Sequence, residues 1–388
     1  GRTRKGPGRD GQRKRDDGPT PDPGMGATSR RAIIAVPLAI AARPLSGSAA
    51  AQTGTPVPSA ARMEWRTAPA ETLGMDPAVL EQVTVRAPAE VPAISALLAV
   101  RGGRIAYEAY FGGHAAETPI NVRSVTKSLT GFLAGIAVAD GAIEGLDQTI
   151  GETIPQRIPA GADPAIANVT IRQLLMMASG IQWPHPGDWQ ALMASKDWVR
   201  DYLSQPVTGI PGQTYVYSTA GSHLLGVMVA EAAGMPLEEY ARERIFEPLG
   251  IAPGRWERSP QGEVNGGSGL HLTARDQARF GLLALRGGVW DGAPVVPAGF
   301  VGEATTWKLQ GDSTAGWEGY GYQWWITGTW AGHAASYGLG YGGQHVFVVP
   351  ALDLVVIAGI FKRVSPEELK TPRGLIETIC ASVVGPVS

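Results

Sequence analysis

From Leu129 to Ala139 the chain runs through eleven residues without a charge, LTGFLAGIAVA. A helix that is apolar on every side belongs in the interior. The segment from Ser124 to about Asp140 is predicted to be such a helix, with Gly141 as its C-cap. Upstream, ISALLAV (94–100) and IAYEAYF (105–111) are strand-like runs around a Gly-Gly turn, which predicts a hairpin. Helical periodicity returns at Thr170–Ala178, Ser222–Ala233 and Leu237–Phe246. It appears again from Thr273, a good N-cap, to a stop at Gly287–Gly288. Beyond that, YGYQWWI (320–326), HVFVV (345–349) and LVVIAGI (354–360) predict strands, the last two joined by a turn over Pro350–Asp353. A helix from about Pro366 to Val384 closes the chain.

Strands therefore stand at both ends and helices in the middle. The expected fold is α/β in the α+β sense: one antiparallel sheet built from N- and C-terminal segments, flanked by helices. An all-helical region is inserted at about 142–270, within a single domain of residues 60–388. A groove between the two parts is the expected place for a site.

Composition narrows the classes. The 388 residues are 44% hydrophobic and 18% charged, enough for a substantial core. Of 33 basic and 35 acidic residues, ten and four fall within residues 1–51, which leaves a net charge of −8 on the rest. Such a body offers no basic surface for nucleic acid. Cys380 is the only cysteine, so it forms no intrachain disulfide and is read as a small apolar helix residue. The segment Ser29–Gln52 joins a twin arginine to a short apolar run and an alanine-rich end. It reads as a secretory leader of the twin-arginine type, preceded by a basic arm, and predicts a periplasmic or secreted protein without a stable membrane span. A disordered basic arm is the alternative. Met25 is the expected true start, with cleavage near Ala49–Ala51.

The candidate chemistry begins in the buried helix. Lys127 stands three residues after Ser124, so the two side chains share a helix face. A serine hydroxyl needs a base to become a nucleophile, and burial lowers a lysine's pKa towards that role. Among seven lysines only Lys127 has a serine three residues before it. Tyr217 precedes the apolar helix at 222–233, where a nearby lysine eases loss of its proton and suits it to proton shuttling; a core aromatic is the alternative. Gly340, Tyr341 and Gly342 lie in a glycine-rich stretch before a strand, where backbone N–H groups can approach a ligand. Trp183 is a candidate wall of the groove, with a core aromatic as the alternative. At most one of Trp324 and Trp325 should reach the cleft. The six histidines show no metal spacing, no G-x-S-x-G is present, and His223 reads as structural.

SVTK (124–127), YST (217–219), RIFEPLGI (244–251), GLHLTARDQARFG (269–281), YGYQWW (320–325) and GYGGQ (340–344) together resemble the serine β-lactamase and penicillin-binding-protein superfamily. The likeness is to its class C side, which includes esterases and 6-aminohexanoate-dimer hydrolases. The resemblance implies Ser124 as the acylated nucleophile, Lys127 as its base partner and Tyr217 as general acid/base. It also implies an oxyanion hole from the Ser124 N–H and one near Tyr341, with no cofactor and no metal. The second motif usually carries asparagine where this chain has Thr219, and no lysine or histidine begins GLGYGG. These departures point to a small-molecule ester or amide substrate rather than a β-lactam. A D-amino-acid peptidase or weak β-lactamase is the alternative enzyme, and a non-catalytic binding or sensing protein the alternative of another class.

Overall fold

The computed structural model describes residues 64–184, 187–311, 319–330, 332–361 and 371–387. The leader expected at Ser29–Gln52, the expected start at Met25 and His185 lie outside them.

Seven strands make the main sheet: β1 Ile94–Arg101, β2 Arg104–Tyr110, β3 Gly319–Tyr320, β4 Trp325–Trp330, β5 His333–Gly340, β6 Gln344–Val349 and β7 Leu354–Ile360. Their order is β2-β1-β7-β6-β5-β4-β3, with every pairing antiparallel. The N-terminal hairpin is thus docked on the last described strand, within the single sheet of N- and C-terminal segments that the sequence predicts. Alternate residues of β7 serve two cores: Val355 and Ile357 face one, Leu354, Val356, Ala358 and Ile360 the other. Burial on both faces explains why its sequence is apolar at almost every position.

One face is covered by α1 (Pro77–Glu90) and by a C-terminal helix, Arg373–Ala381. That helix is shorter than the expected 366–384, and residues 362–370 lie outside the described set. The opposite face receives α2 (Val125–Ala139) and the helix Ala274–Leu285. Every residue of α2 from Val125 to Ala137 is buried, so its apolar stretch reports a central helix. Asp140 ends it and Gly141 follows at φ 75°, the left-handed conformation that glycine adopts without a Cβ penalty.

Between residues 142 and 270 the described chain is helices and turns. They include α3 (Asp188–Ala194) and α4 (Thr219–Ala233), the latter packed against α2. Helix α4 starts three residues before the expected Ser222, because Ser218 caps it: its Oγ accepts the Gly221 N–H at 2.9 Å. The Leu237–Phe246 stretch is α-helical only to Ala241 and widens to a π-turn over Arg242–Phe246. Thr273 caps its helix as predicted, accepting the Asp276 N–H at 3.0 Å.

One strand expectation is corrected. YGYQWWI is not one strand but a tight reversal between β3 and β4, closed by Gly321 N–H donating to the Trp324 carbonyl at 2.8 Å. Gln323 turns the chain with φ 61°, a strained value for a non-glycine residue. Its side chain holds that turn in place. Nε2 donates to the Leu174 carbonyl at 3.0 Å and Oε1 accepts the Ser222 hydroxyl at 2.9 Å. Strand β5, for which the sequence shows no strand signal, ends at Gly340, inside the glycine-rich stretch that leads into β6.

Candidate active site

Ser124 is the residue immediately before α2 and is partly exposed. Lys127, one turn further on, is only 1% exposed. Its Nζ donates to Ser124 Oγ at 3.1 Å, to Thr219 Oγ1 at 3.0 Å and to the Gly267 carbonyl at 2.7 Å. The three acceptors are neutral, and burial lowers the ammonium pKa from its ordinary 10.5 to about 7, against the opposing pull of the Asp188 charge. A substantial fraction of Lys127 is therefore neutral at neutral pH.

Tyr217 completes the cluster. A hydrogen bond links its hydroxyl to Ser124, and its ring centroid lies 4.9 Å from Lys127 Nζ. The expected easing of its proton loss is not what the site provides. Burial raises the Tyr217 pKa, the Asp188 charge adds to that, and the Ser124 hydrogen bond only partly offsets them. At neutral pH the Tyr217 hydroxyl therefore keeps its proton.

The glycine-rich turn lies beside the same serine. A Cβ on Gly340 would stand 2.5 Å from the Val122 carbonyl oxygen and 2.9 Å from the Arg123 Cβ, so glycine alone lets the end of β5 press against the two residues before Ser124. The chain then turns through Tyr341, 44% exposed, and Gly342 to pair Gln344 with Gly340. Arg123 itself has φ 53°, an uncommon conformation next to the cluster, and Asn121 Oδ1 accepts its N–H at 2.8 Å.

Trp183 is 7% exposed and packs edge-on against Tyr202 at 5.3 Å, within the core. Its indole N–H donates to Asp188 Oδ1 at 2.6 Å, and the same oxygen accepts the Thr219 N–H at 2.8 Å. Trp183 thus stands behind the cluster. Trp324 is fully buried and stacks on Phe280 at 5.7 Å, whereas Trp325 stacks on Tyr217. Asp188, Thr219 as a lysine acceptor and the Gly267 carbonyl escape sequence reasoning. Asp188 lies in the WPHPGDW segment, but its contact with Thr219 joins positions 31 residues apart.

His223 is buried 3.7 Å from Glu263, in the core rather than beside Ser124. Burial lowers the His345 pKa to about 4, so it is neutral at physiological pH. Among the described residues no group of three or more His, Cys, Asp or Glu side chains is placed to hold a metal, and no helix is long and apolar enough to cross a membrane. A separate cavity of about 540 Å³ lies along the C-terminal half of α4, lined by Val227, Glu231, Leu237, Glu238 and Glu263; Ser124, Lys127 and Tyr217 do not line it.

Comparison with known proteins agrees with this architecture. The family model described as "Beta-lactamase" matches residues 84–376. A 6-aminohexanoate-dimer hydrolase of Paenarthrobacter ureafaciens is 26% identical over 287 residues, 68% of this chain and 71% of that protein. Among solved structures, EstCE1, described as a hydrolase with promiscuous acyltransferase activity, superposes with a TM-score of 0.65 at 19% identity, covering 81% of this chain and 99% of that one. A D-stereospecific amidohydrolase from Streptomyces gives 0.62 at 19% identity, covering 78% and 98%.

Proposed function

The chain belongs to the β-lactamase family, and from that premise we propose that it is a serine hydrolase cleaving a carboxylic ester or small amide through an acyl-enzyme on Ser124. The hydrogen bond from buried Lys127 to Ser124 is the observation that carries the reading. In the neutral form, Lys127 takes the Ser124 proton as Oγ bonds to the substrate carbonyl carbon. The oxyanion is held by the Ser124 N–H at the start of α2 and by an N–H of the Gly340–Gly342 turn near Tyr341. Tyr217 donates its proton to the leaving alkoxide or amine and regains one from Lys127. Water then hydrolyses the acyl-serine by the same route in reverse.

Thr219 supports an ester or linear amide over a β-lactam. Its hydroxyl is engaged with Lys127, and it offers no side-chain amide to a substrate. A D-amino-acid peptidase is the second reading, favoured by the likeness to a D-stereospecific amidohydrolase. A secreted or periplasmic setting, argued from the leader at Ser29–Gln52, belongs to the same proposal.

The test is covalent. Intact mass after a fluorophosphonate, and turnover of a p-nitrophenyl ester, should show a single adduct and activity in wild type and neither in Ser124→Ala. Absence of both from wild type overturns the enzyme reading, and full activity in Ser124→Ala overturns the nucleophile. Nitrocefin in parallel should be turned over slowly or not at all.

A further inference from the structure

One buried carboxylate beside the cluster has no part in the chemistry above. Asp188, the first residue of α3, is 8% exposed. Oδ1 accepts both the Trp183 indole N–H and the Thr219 backbone N–H. Thr219 then accepts Lys127 through its hydroxyl, so a chain of contacts runs Trp183, Asp188, Thr219, Lys127. An asparagine oxygen could accept the same two N–H groups. Burying a full charge on two neutral donors is costly when a neutral acceptor would serve the packing. The charge itself asks for a use.

Resting on the Ser124–Lys127 reading, we propose that Asp188 is a positioning residue: it fixes Thr219 against Lys127, and its negative charge stabilises the ammonium that Lys127 becomes on accepting the Ser124 proton. In that step the O–H bond of Ser124 breaks as Oγ bonds to the carbonyl carbon. The proton goes to Nζ and the carbonyl electron pair to oxygen. Positive charge appears on Lys127, where the acceptors at hydrogen-bond distance are neutral. The ionisable groups facing Lys127 and Asp188 are Tyr217, from the loop before α4, and Tyr202. The Asp188 charge makes both hydroxyls harder to ionise, and so keeps Tyr217 a donor while Lys127 carries the proton.

Two effects of opposite sense separate this role from simple packing. Removing the charge makes Lys127 easier to deprotonate, which extends activity to lower pH; it also removes stabilisation of the ammonium in the transition state, which lowers the plateau rate. The experiment is kcat/KM against pH for a p-nitrophenyl ester with wild type, Asp188→Asn and Asp188→Glu, and with Ser124→Ala alongside. Asp188→Asn, which retains an acceptor for Thr219 and Trp183, should move the acid limb to lower pH by about one unit and lower the plateau about tenfold. Asp188→Glu, which restores the charge, should return the limb towards wild type. Asp188→Ser supplies the same neutral comparison if asparagine does not pack. A neutral variant whose limb stays at the wild-type pH overturns the proposal, whatever its plateau. If Ser124→Ala keeps turnover, the nucleophile reading itself has failed. An inactive Ser124→Ala with an unmoved Asp188→Asn limb confines the failure to Asp188.

Discussion

The ring of Trp325 lies stacked on that of Tyr217, centroids 5.9 Å apart and planes 20° from parallel. Trp325 is also in edge contact with Tyr320 at 4.8 Å, so the residue against Tyr217 is itself fixed by the sheet. The hydroxyl of Tyr217 has to reach Ser124 from a loop, and the stack restricts where the ring can lie. Trp325→Ala is expected to lower kcat about tenfold or more and to destabilise the fold by about 3–5 kcal/mol. Trp325→Phe, which keeps a ring surface, should retain most of both. Steady-state kinetics and thermal melts of the two variants check this; equal kcat for Ala and Phe contradicts it.

Tyr217→Phe isolates the hydroxyl from that stack. The ring contacts remain and the proton donor is lost, so kcat should fall about 10²- to 10⁴-fold with little change in KM. Because burial raises the Tyr217 pKa above its ordinary 10, wild-type kcat/KM should show an acid limb near the Lys127 value of about 7 and no alkaline limb below pH 10. An alkaline limb near pH 8 would falsify the assignment of Tyr217 as a protonated donor.

How legible each part was in the sequence depends on where its determinants lie. Helix α2 and strands β1 and β7 are buried on several sides, so local composition reveals them. The β3–β4 reversal is hidden because Tyr320, Tyr322, Trp324 and Trp325 favour strand at every step. The turn is set by Gln323, whose side-chain partners Leu174 and Ser222 are far away in sequence. Strand β5 is hidden for the opposite reason: HAASYGLG is small and glycine-rich, and its strand character comes from pairing with β4 and β6. In the site, the serine and lysine are legible because one helical turn relates them, and Tyr217 through the YST pattern. Asp188 and the Gly267 carbonyl enter only when the helical region folds over α2.

Gly340→Ala tests the close approach of the turn to Ser124. The added methyl meets the Val122 carbonyl, the Arg123 Cβ and the Gln344 Cβ at 2.5–2.9 Å, and two of those atoms are in residues just before the nucleophile. The backbone has to part there, at a cost of about 1–3 kcal/mol. Fluorophosphonate labelling should fall by far more than melting stability suggests, because a small shift in the oxyanion donors matters most in the transition state. Labelling at the wild-type rate would place the oxyanion N–H elsewhere.

Lys127→Met removes a stability cost that the site imposes with a definite pH dependence. The lysine pKa is about 7 folded against 10.5 ordinarily, so between those values the unfolded chain binds more proton than the folded one. Wild-type stability therefore rises with pH across that window. Below it, the penalty is fully present at about 5 kcal/mol, from roughly 3.5 units at about 1.4 kcal/mol each. Methionine removes the charge and its pH dependence but leaves the Gly267 carbonyl without its donor, a loss of about 1–3 kcal/mol. At pH 6 the variant should be inactive and about 2–4 kcal/mol more stable than wild type, and the advantage should shrink as pH rises to 9. Denaturant unfolding of both proteins at the two pH values checks the sign. An advantage that grows with pH would mean that Lys127 is not the buried, proton-shedding group described here.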